Sequence, residues 1–498
     1  MEFNMERTEI ACLDMILQEV SNTELTQQIK LPDGMPDIGH ILSAWGQVIL
    51  RSKEWQDGQI IASGGMMVWV LYAPENGGKE CCIDTWIPFQ MQWDLPDDVP
   101  EGSIRIRCLT RFVDGRSVSP RKIMVRCGAA MQAEVCVPVK REIAAPAISS
   151  EDVELLNATY PLRLVMEAGE RAFVMDEELS LPDSAPLPDK LIYSRMLPQI
   201  TEKRVLDDKL AFRGNGNLHI LYSSEEGQLH SWDFEMPFSQ IAQLDQEYGP
   251  DAQSDLTMVL TNLETEVDDE GHIRLKCAMA AQYRITDRKL VSLVEDAYSP
   301  GREMRLAREM LEMPVVLENR RENIYGEQTI PAEANFVADI SYLPDFPRLR
   351  RSESGVDLEM PGSFQVLYYD GSGQLRSANA RWEGRKHLNA DTDSMLTAAV
   401  LPLEAQAVAG NGQILAKAEL PLEIITTARQ KIPMVTDVET GERRADDSNR
   451  PALLLRRAGA DRLWDIAKAS GSTMEDIRRA NGLQGEPAPG QMLLIPVR

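Results

Sequence analysis

Histidine is the residue type of this 498-residue chain that first raises the possibility of metal chemistry. The five histidines are widely scattered, and the sequence contains no HExxH, GxSxG, EF-hand or Walker motif. His219 and His230 could face each other across a hairpin, but two similar segments carry Trp69 and Gln365 in place of His219. A metal pair is therefore not expected. We predict no metal site, no catalytic residue and no cofactor, and hence a non-enzymatic protein.

Cysteine is the second residue type that could support chemistry. Cys127 and Cys277 lie 150 residues apart inside similar apolar stretches. A reactive thiol needs an accessible and electropositive setting, so these positions favour buried structural thiols. The seven cysteines are odd in number and include no CxxC pair, which is typical of reduced thiols in a cytosolic protein rather than of a disulfide framework.

The charge of the chain is strongly negative and unevenly distributed. Its formal net charge is −26, which opposes binding to nucleic acid or to an anionic membrane. Residues 451–498 contain seven basic and five acidic side chains, so this segment carries +2 and the remainder −28. A mildly basic tip on an acidic body could select an acidic partner. The alternative is an ordinary solvated surface.

Sequence repeats indicate the elements that must position these residues. LPDGMP at 31–36 returns as LPDSAP at 181–186, at an offset of 150. Apolar runs that end in tyrosine recur at 70–72, 220–222 and 366–368, each followed by a glycine-containing turn and a second strand-like run. Alternation of apolar residues in these runs predicts a β-hairpin in each of three copies. We therefore expect a mainly β fold with repeats at 1–145, 153–298 and, in diverged form, 315–430.

Two segments between the repeats and the C-terminus break the strand pattern. In SPGREMRLAREMLEMP, the spacing of Met304, Ala307 and Leu311 predicts a short helix that Pro314 ends. Residues 436–450 are polar and charged, and they predict a flexible linker.

Residues 451–498 have the pattern of a separate small domain. An apolar strand at 453–455 precedes an amphipathic helix that contains Trp464. Ser472 or Thr473 is suited to cap a second helix, Gly482 to end it, and a last strand follows at 492–495. The predicted order is βααβ.

This segment resembles a LysM domain through its LW-x-IA, Asn-x-Leu and PGQ-x-L-x-IP motifs. The resemblance implies a shallow groove for glycans that contain N-acetylglucosamine. Ala460 is inserted in the first loop, and Arg462 replaces a small residue, so the groove is better suited to a protein carboxylate than to a sugar. The implied groove residues are Gly459, Asp461, Arg462, Asn481, Gly482, Leu483 and Gln491.

The repeats resemble SPOCS domains through their Pro-Asp segments, the hairpins that end in Leu-Tyr, the Pro-Phe pairs at 88–89 and 237–238, and DGR at 114–116. SPOCS repeats followed by one LysM domain are similar to the SipL-like spore-coat morphogenetic proteins of clostridia. The resemblance implies a scaffold for spore-coat or spore-envelope assembly, located in the mother-cell cytoplasm at the forespore surface. Its LysM domain would dock on the coat morphogenetic ATPase, and its repeats would bind other coat proteins or self-associate.

The alternative function is binding of peptidoglycan by a protein associated with the cell wall. The N-terminal MEFNMERTEIAC lacks a basic region followed by an apolar one, so we expect no signal peptide, which disfavours this alternative. The longest apolar run, at 66–73, is too short to span a bilayer.

Overall fold

A computed structural model describes residues 2–3, 5–149, 153–268, 270–391, 393–401, 405–443 and 451–497. It confirms the mainly β fold class, with two short helices near the C-terminus. The first repeat has two three-stranded antiparallel sheets, β2-β7-β6 and β3-β4-β5. The strands up to this point are β1 (Glu2–Phe3), β2 (Arg7–Lys30), β3 (Ile38–Gln56), β4 (Gln59–Pro74), β5 (Cys81–Asp94), β6 (Ser103–Ser119) and β7 (Lys122–Ala144).

The second repeat has the same layout, with one sheet formed by β8-β12-β11 and the other by β9 and β10. Its strand β9 spans the counterparts of both β3 and β4. The turn between those counterparts is preserved: Asp57 has a positive φ of 48°, and the equivalent Asp207 has a positive φ of 50°. The strands are β8 (Glu154–Leu179), β9 (Pro188–Ser224), β10 (Leu229–Tyr248), β11 (Gln253–Val267) and β12 (Ile273–Tyr298).

The third repeat pairs β13 with β20, which also pairs with β18, β19 and the N-terminal β1. Its other sheet joins β14 and β15 to β16, and β16 to β17. The strands are β13 (Arg302–Pro331), β14 (Ala334–Pro344), β15 (Arg348–Ser352), β16 (Gly355–Asp370), β17 (Leu375–Leu388), β18 (Ser394–Val400), β19 (Ala405–Gly410) and β20 (Gln413–Arg443).

The predicted helix after the second repeat is wrong. The segment belongs to β13, in which Leu311, Met313 and Val315 are buried with a period of two. Burial of these side chains against the neighbouring repeats outweighs the local helical spacing. Pro314 is tolerated because, among the described strands, β13 pairs with β20 alone and so lies at the edge of its sheet.

The expected linker at 436–450 begins too early. Residues up to Arg443 continue β20, and Val438 is buried and opposite Leu306 of β13. Val438, with the half-buried Thr436 and Thr440 two positions to either side, packs this polar segment into the sheet. The rest of the expected linker, 444–450, lies outside the described residues.

The three repeats surround a common axis and form one body. Equivalent apolar residues of all three repeats meet in a shared buried cluster, so the pseudo-threefold relation holds in the packing as well as in the sequence. The equivalent sets are Leu42, Ile192 and Ala338, and Leu71, Leu221 and Leu367.

Contacts between neighbouring repeats run in one direction around this axis. The rings of Trp69 in the first repeat and Tyr193 in the second lie 6.1 Å apart between centroids. The equivalent His219 reaches Asp339 of the third repeat at 2.8 Å. Gln365 of the third repeat then donates to Ser43 of the first repeat at 2.8 Å. The chain therefore closes a three-membered ring of head-to-tail contacts within one molecule.

A buried ion cluster lies between the first two repeats. Arg105 of β6 pairs with Glu134 of β7 and, at 2.5 Å, with Asp255 of β11. Arg284 of β12 pairs with the same two carboxylates, at 3.1 Å from Glu134 and 2.5 Å from Asp255. Arg105 and Asp255 are equivalent in the 150-residue repeat, and so are Glu134 and Arg284. Equivalent positions of the two repeats thus carry opposite charges, which makes the interface complementary.

Candidate functional site

The C-terminal module, residues 451–497, contains β21 (Leu453–Arg457), α1 (Leu463–Ser470), α2 (Met474–Asn481) and β22 (Met492–Pro496). Thr473 caps α2, and its hydroxyl accepts a 3.0 Å hydrogen bond from the Asp476 amide. Gly471 and Gly482 end the two helices with φ values of 65° and 62°, which a residue without Cβ adopts readily. The predicted βααβ order is confirmed.

Trp464 belongs to the core of this module. It is 2% exposed and packs with Leu463, Ile466 and Ile477, and with Leu493 of β22. The indole face is therefore not open to a sugar.

The loop before α1 and the loop before β22 lie side by side. The Ala458 amide donates to the Gln491 carbonyl, and the Gly490 amide donates to the Ala458 carbonyl, both at 2.8 Å. The Leu463 amide, at the start of α1, donates to the Glu486 carboxylate of the other loop at 2.6 Å. Sequence reasoning missed this role of Glu486; the signal was an acidic residue that could reach a helix N-terminus without a side-chain cap.

Of the seven residues implied for the groove, four are exposed and three are half-buried. The structure brings 459–462 next to Gln491, and it places 481–483 at the C-terminal end of α2. The exposed residues are Gly459, Asp461, Arg462 and Gly482, and the half-buried ones are Asn481, Leu483 and Gln491.

The polar side chains of this groove already have partners within the module. Asn481 accepts from the Leu494 amide at 2.7 Å and donates to the Leu494 carbonyl at 2.6 Å. Gln491 accepts from the Ala488 amide at 3.0 Å, and Asp461 pairs with Arg456 at 2.7 Å. A ligand in the groove would therefore contact mainly backbone groups and the rims of the loops.

Arg462 faces carboxylates of its own chain. Its guanidinium lies 3.2 Å from Asp465 and 3.6 Å from Glu295 of the repeat body. The hydrogen bond and charge of Asp465, together with Glu295, raise the pKa of Arg462. Arg462 was expected to meet a carboxylate of a partner, and in the structure it meets one on the repeat body.

The end of β12 docks the module onto the repeats. Asp296 accepts hydrogen bonds from the Trp464 indole at 2.9 Å and from the Lys468 ammonium at 2.6 Å. Tyr298 donates to the Ser472 carbonyl at 2.8 Å, and its ring meets Trp464 edge-on at 4.7 Å between centroids. Burial alone would raise the pKa of Asp296, but the bonds from Lys468 and Trp464 outweigh it and lower the pKa. Sequence reasoning missed this junction.

His219 is a contact between repeats rather than half of a histidine pair. It lies opposite Asp233 in the β9–β10 ladder, whereas His230 lies opposite Tyr222. Its ring nitrogens lie 2.6 Å from Asp233 and 2.8 Å from Asp339. Burial opposes its protonation, but the two carboxylates prevail and raise the pKa to about 9. Among the described residues, no three histidine, cysteine or acidic side chains are grouped to hold a metal ion.

All seven cysteines are free thiols. Cys127 and Cys277 are unsuited to nucleophilic chemistry, because burial raises the pKa of Cys127 to about 11 and that of Cys277 to about 12. A cavity of about 920 Å³ where the three repeats meet is lined in part by Cys108, and burial also raises the pKa of this thiol to about 12. In the described part of the chain, no helix is both long and apolar enough to cross a membrane.

Two family models match the chain. Residues 189–268, which cover β10, β11 and all of β9 except its first residue, match the model described as SipL, SPOCS domain. Residues 460–496, which cover α1, α2 and β22, match the LysM domain model. No curated protein and no solved structure matches the chain. The chain therefore contains a SPOCS domain and a C-terminal LysM domain, which together fit a sporulation protein with a peptidoglycan-binding type of module.

Proposed function

We propose that this chain is a non-enzymatic scaffold for assembly of the spore coat or spore envelope. Its LysM module docks on a coat morphogenetic protein, the coat ATPase, at the forespore surface on the mother-cell side. The observation that supports this role most strongly is the closed ring of three SPOCS-like repeats with one LysM module held at the end of β12. A rigid three-lobed body of this kind can present several binding faces at fixed distances from one another.

Two perturbed ionisable groups at the contacts between repeats also favour a structural role. Glu134, with its pKa lowered to about 2, and His219, with its pKa raised to about 9, both serve contacts between repeats. Perturbed groups at an active site would instead be expected to face a pocket that admits substrate. The outer faces of the repeats then remain to bind other coat proteins.

A protein ligand suits the LysM module better than a glycan does. The side-chain amide of Asn481 and the side-chain oxygen of Gln491, which could bind sugar hydroxyls, are bonded within the module. The second candidate, peptidoglycan binding, is favoured by the LysM match and by the exposure of Gly459, Asp461 and Gly482.

Two binding measurements on the full chain separate these candidates. We expect the purified coat ATPase to bind the chain in calorimetry, and insoluble peptidoglycan to leave it in the supernatant after centrifugation. Ala460→Glu, at an exposed position of the loop beside the groove, serves as the groove variant. Pelleting of the wild type that Ala460→Glu abolishes, with no binding to the ATPase, would favour the glycan function instead.

A further inference from the structure

The sheet of the LysM module has an exposed apolar outer face. Its inner face packs on the helices through Leu493 and Ile495, which are fully buried. On the outer face, Leu453 is 54% exposed and Leu455 is 69% exposed. Across the ladder, Leu455 lies opposite Leu494 and Arg457 lies opposite Met492, which are 40% and 51% exposed. Contiguous exposed apolar side chains of this kind mark an interaction surface.

The backbone of β21 offers an open edge beside this face. The Ala458 amide donates to Gln491, and the Val497 amide donates to Ala452, so even-numbered residues of this strand bond toward β22. Because bonding direction alternates along an antiparallel strand, the N–H and C=O groups of 453, 455 and 457 point away from β22. Among the described residues, β22 is the only strand that pairs with β21.

The opposite edge of the same sheet is blocked at its centre. There the outward N–H and C=O of Leu494 are both bonded by the side-chain amide of Asn481. An exposed strand edge invites pairing with another chain, and proteins usually block such edges. The module blocks the β22 edge and leaves the β21 edge open.

Arg457 gives this open edge a charge preference. Its guanidinium bonds the Gly490 carbonyl at 3.3 Å, and no carboxylate within the described residues forms an ion pair with it. The neighbouring Arg456, by contrast, is paired with Asp461. An acidic side chain placed opposite Arg457 would complete a pair.

We infer that the β21 edge accepts an extended segment of a partner protein as a third strand. The segment places apolar residues opposite Leu453 and Leu455 and an acidic residue opposite Arg457. Main-chain hydrogen bonds then supply affinity and the alternate side chains supply specificity. The inference rests on the proposed function, because this partner is the protein on which the LysM module docks.

A second copy of the chain is a poorer occupant of this edge. The body outside 451–498 carries −28, and two such bodies would repel each other at close approach. A glycan is also poorer, because sugar hydroxyls do not repeat with the spacing of a strand backbone. A protein strand with apolar and acidic side chains can do three things at once: bond the open backbone of β21, cover the apolar face and pair with Arg457.

Amide exchange with a peptide probe tests the edge directly. The probe is ETVTVTE, whose outward glutamates and valines match this face in either orientation, and the control is KTVTVTK. In the full chain we expect fast exchange at 453, 455 and 457, and at least tenfold slowing at these three amides when ETVTVTE is bound. Arg457→Glu should weaken binding of ETVTVTE at least tenfold and strengthen binding of KTVTVTK. If exchange at the amides of 453, 455 and 457 is not slowed at a saturating concentration of ETVTVTE, the inference is overturned.

Binding to the purified coat ATPase tests the same edge in its proposed context. Leu455→Lys puts a charge on the face, and Leu455→Pro removes an outward N–H without breaking a bond between β21 and β22. We expect each to weaken ATPase binding at least tenfold, while Gln484→Lys, which adds the same charge at another exposed position of the module, leaves it unchanged. If the Leu455 variants bind the ATPase as the wild type does, the β21 edge is not the docking site, and the proposed function is retained. Absence of binding by the wild type would reject the proposed function, and the peptide result would still decide whether the edge accepts a strand.

Discussion

At the scale of single residues, His219 makes one of the three ring contacts dependent on pH. The pKa of this histidine is raised to about 9 by Asp339 and Asp233, against the effect of burial. In the unfolded chain it returns to about 6.5. Protonated His219 therefore stabilises the fold fully below pH 6.5, and this contribution is lost as the pH rises through 9.

We expect the free energy of unfolding to fall between pH 6.5 and 9 by up to about 3 kcal/mol. His219→Gln keeps a hydrogen-bond donor near Asp339 but cannot gain a proton. The free energy of unfolding of this variant should therefore depend less on pH between 6.5 and 9. Urea unfolding of both proteins at several pH values measures the difference. Parallel curves for the two proteins would show that His219 does not carry this charge.

Glu134 tests the buried ion cluster. Burial would raise the pKa of this carboxyl, but Arg105, Arg284 and Arg107 outweigh it and lower the pKa to about 2. Glu134→Gln leaves those cations with one fewer buried carboxylate, and we expect a loss of about 3 kcal/mol in the free energy of unfolding. The matched control is Glu142→Gln, because Glu142 pairs with Arg7 at the surface and should cost less than about 1 kcal/mol. Equal losses in the two variants would contradict a buried cluster that needs both signs of charge.

Residue-level prediction from the sequence succeeded where partners are local. The LysM core around Trp464 followed from motifs of fixed spacing within one module. The bond from Trp464 to Asp296 joins residues 168 positions apart, and no sequence spacing indicates such a contact. The partner of Arg462 was missed for the same reason, since Glu295 comes near only when the module docks.

At the scale of elements, the 150-residue offset reflects identical hairpin geometry. A Cβ placed on Gly64 would collide with the carbonyl oxygen of Ile49, and one on Gly214 would collide with that of Gln199. Both pairs stand at the same offset, so a glycine is required at the same point of the β3–β4 hairpin and of β9. The glycine allows two strand backbones to approach closely.

Gly64→Ala and Gly214→Ala should each lower the free energy of unfolding by about 2 kcal/mol, because backbone atoms must move apart. Gly249→Ala is the matched control, since no atom lies within 4 Å of its added Cβ. We expect it to be neutral or slightly stabilising. Thermal denaturation of the three variants compares them, and a loss in the control as large as in the others would remove the steric explanation.

Element type was predictable for the hairpins and not for β13. The hairpins alternate apolar and polar residues between clear turns. In the segment after the second repeat, Met304, Ala307 and Leu311 fit a helical period, while Leu311, Met313 and Val315 fit a strand period. Only the neighbouring repeats, which bury the second set, decide between the two patterns.

At the scale of the whole molecule, the three β-sheet repeats, of which the second contains the SPOCS match, are joined as a ring instead of a string. Trp69, His219 and Gln365 occupy equivalent positions, and each contacts the next repeat with different chemistry. This divergence hid the ring from sequence analysis, because the equivalent residues do not look alike. The surfaces through which the repeats contact one another are already buried within one molecule, so any self-association must use another surface.

The position of the LysM module relative to this ring depends on Asp296. This carboxylate holds Trp464 and Lys468 on the module side and Arg308 on the body side. Asp296→Ala should release the module at a cost of about 2 kcal/mol, discounted for partial exposure. Small-angle scattering should then show a larger radius of gyration. Arg308→Met, which removes only the contact on the body side, should leave the radius unchanged. If Asp296→Ala also leaves it unchanged, the remaining contacts hold the module: the packing of Tyr298 and Leu156, the Tyr298 hydrogen bond to Ser472 and the Arg462–Glu295 pair.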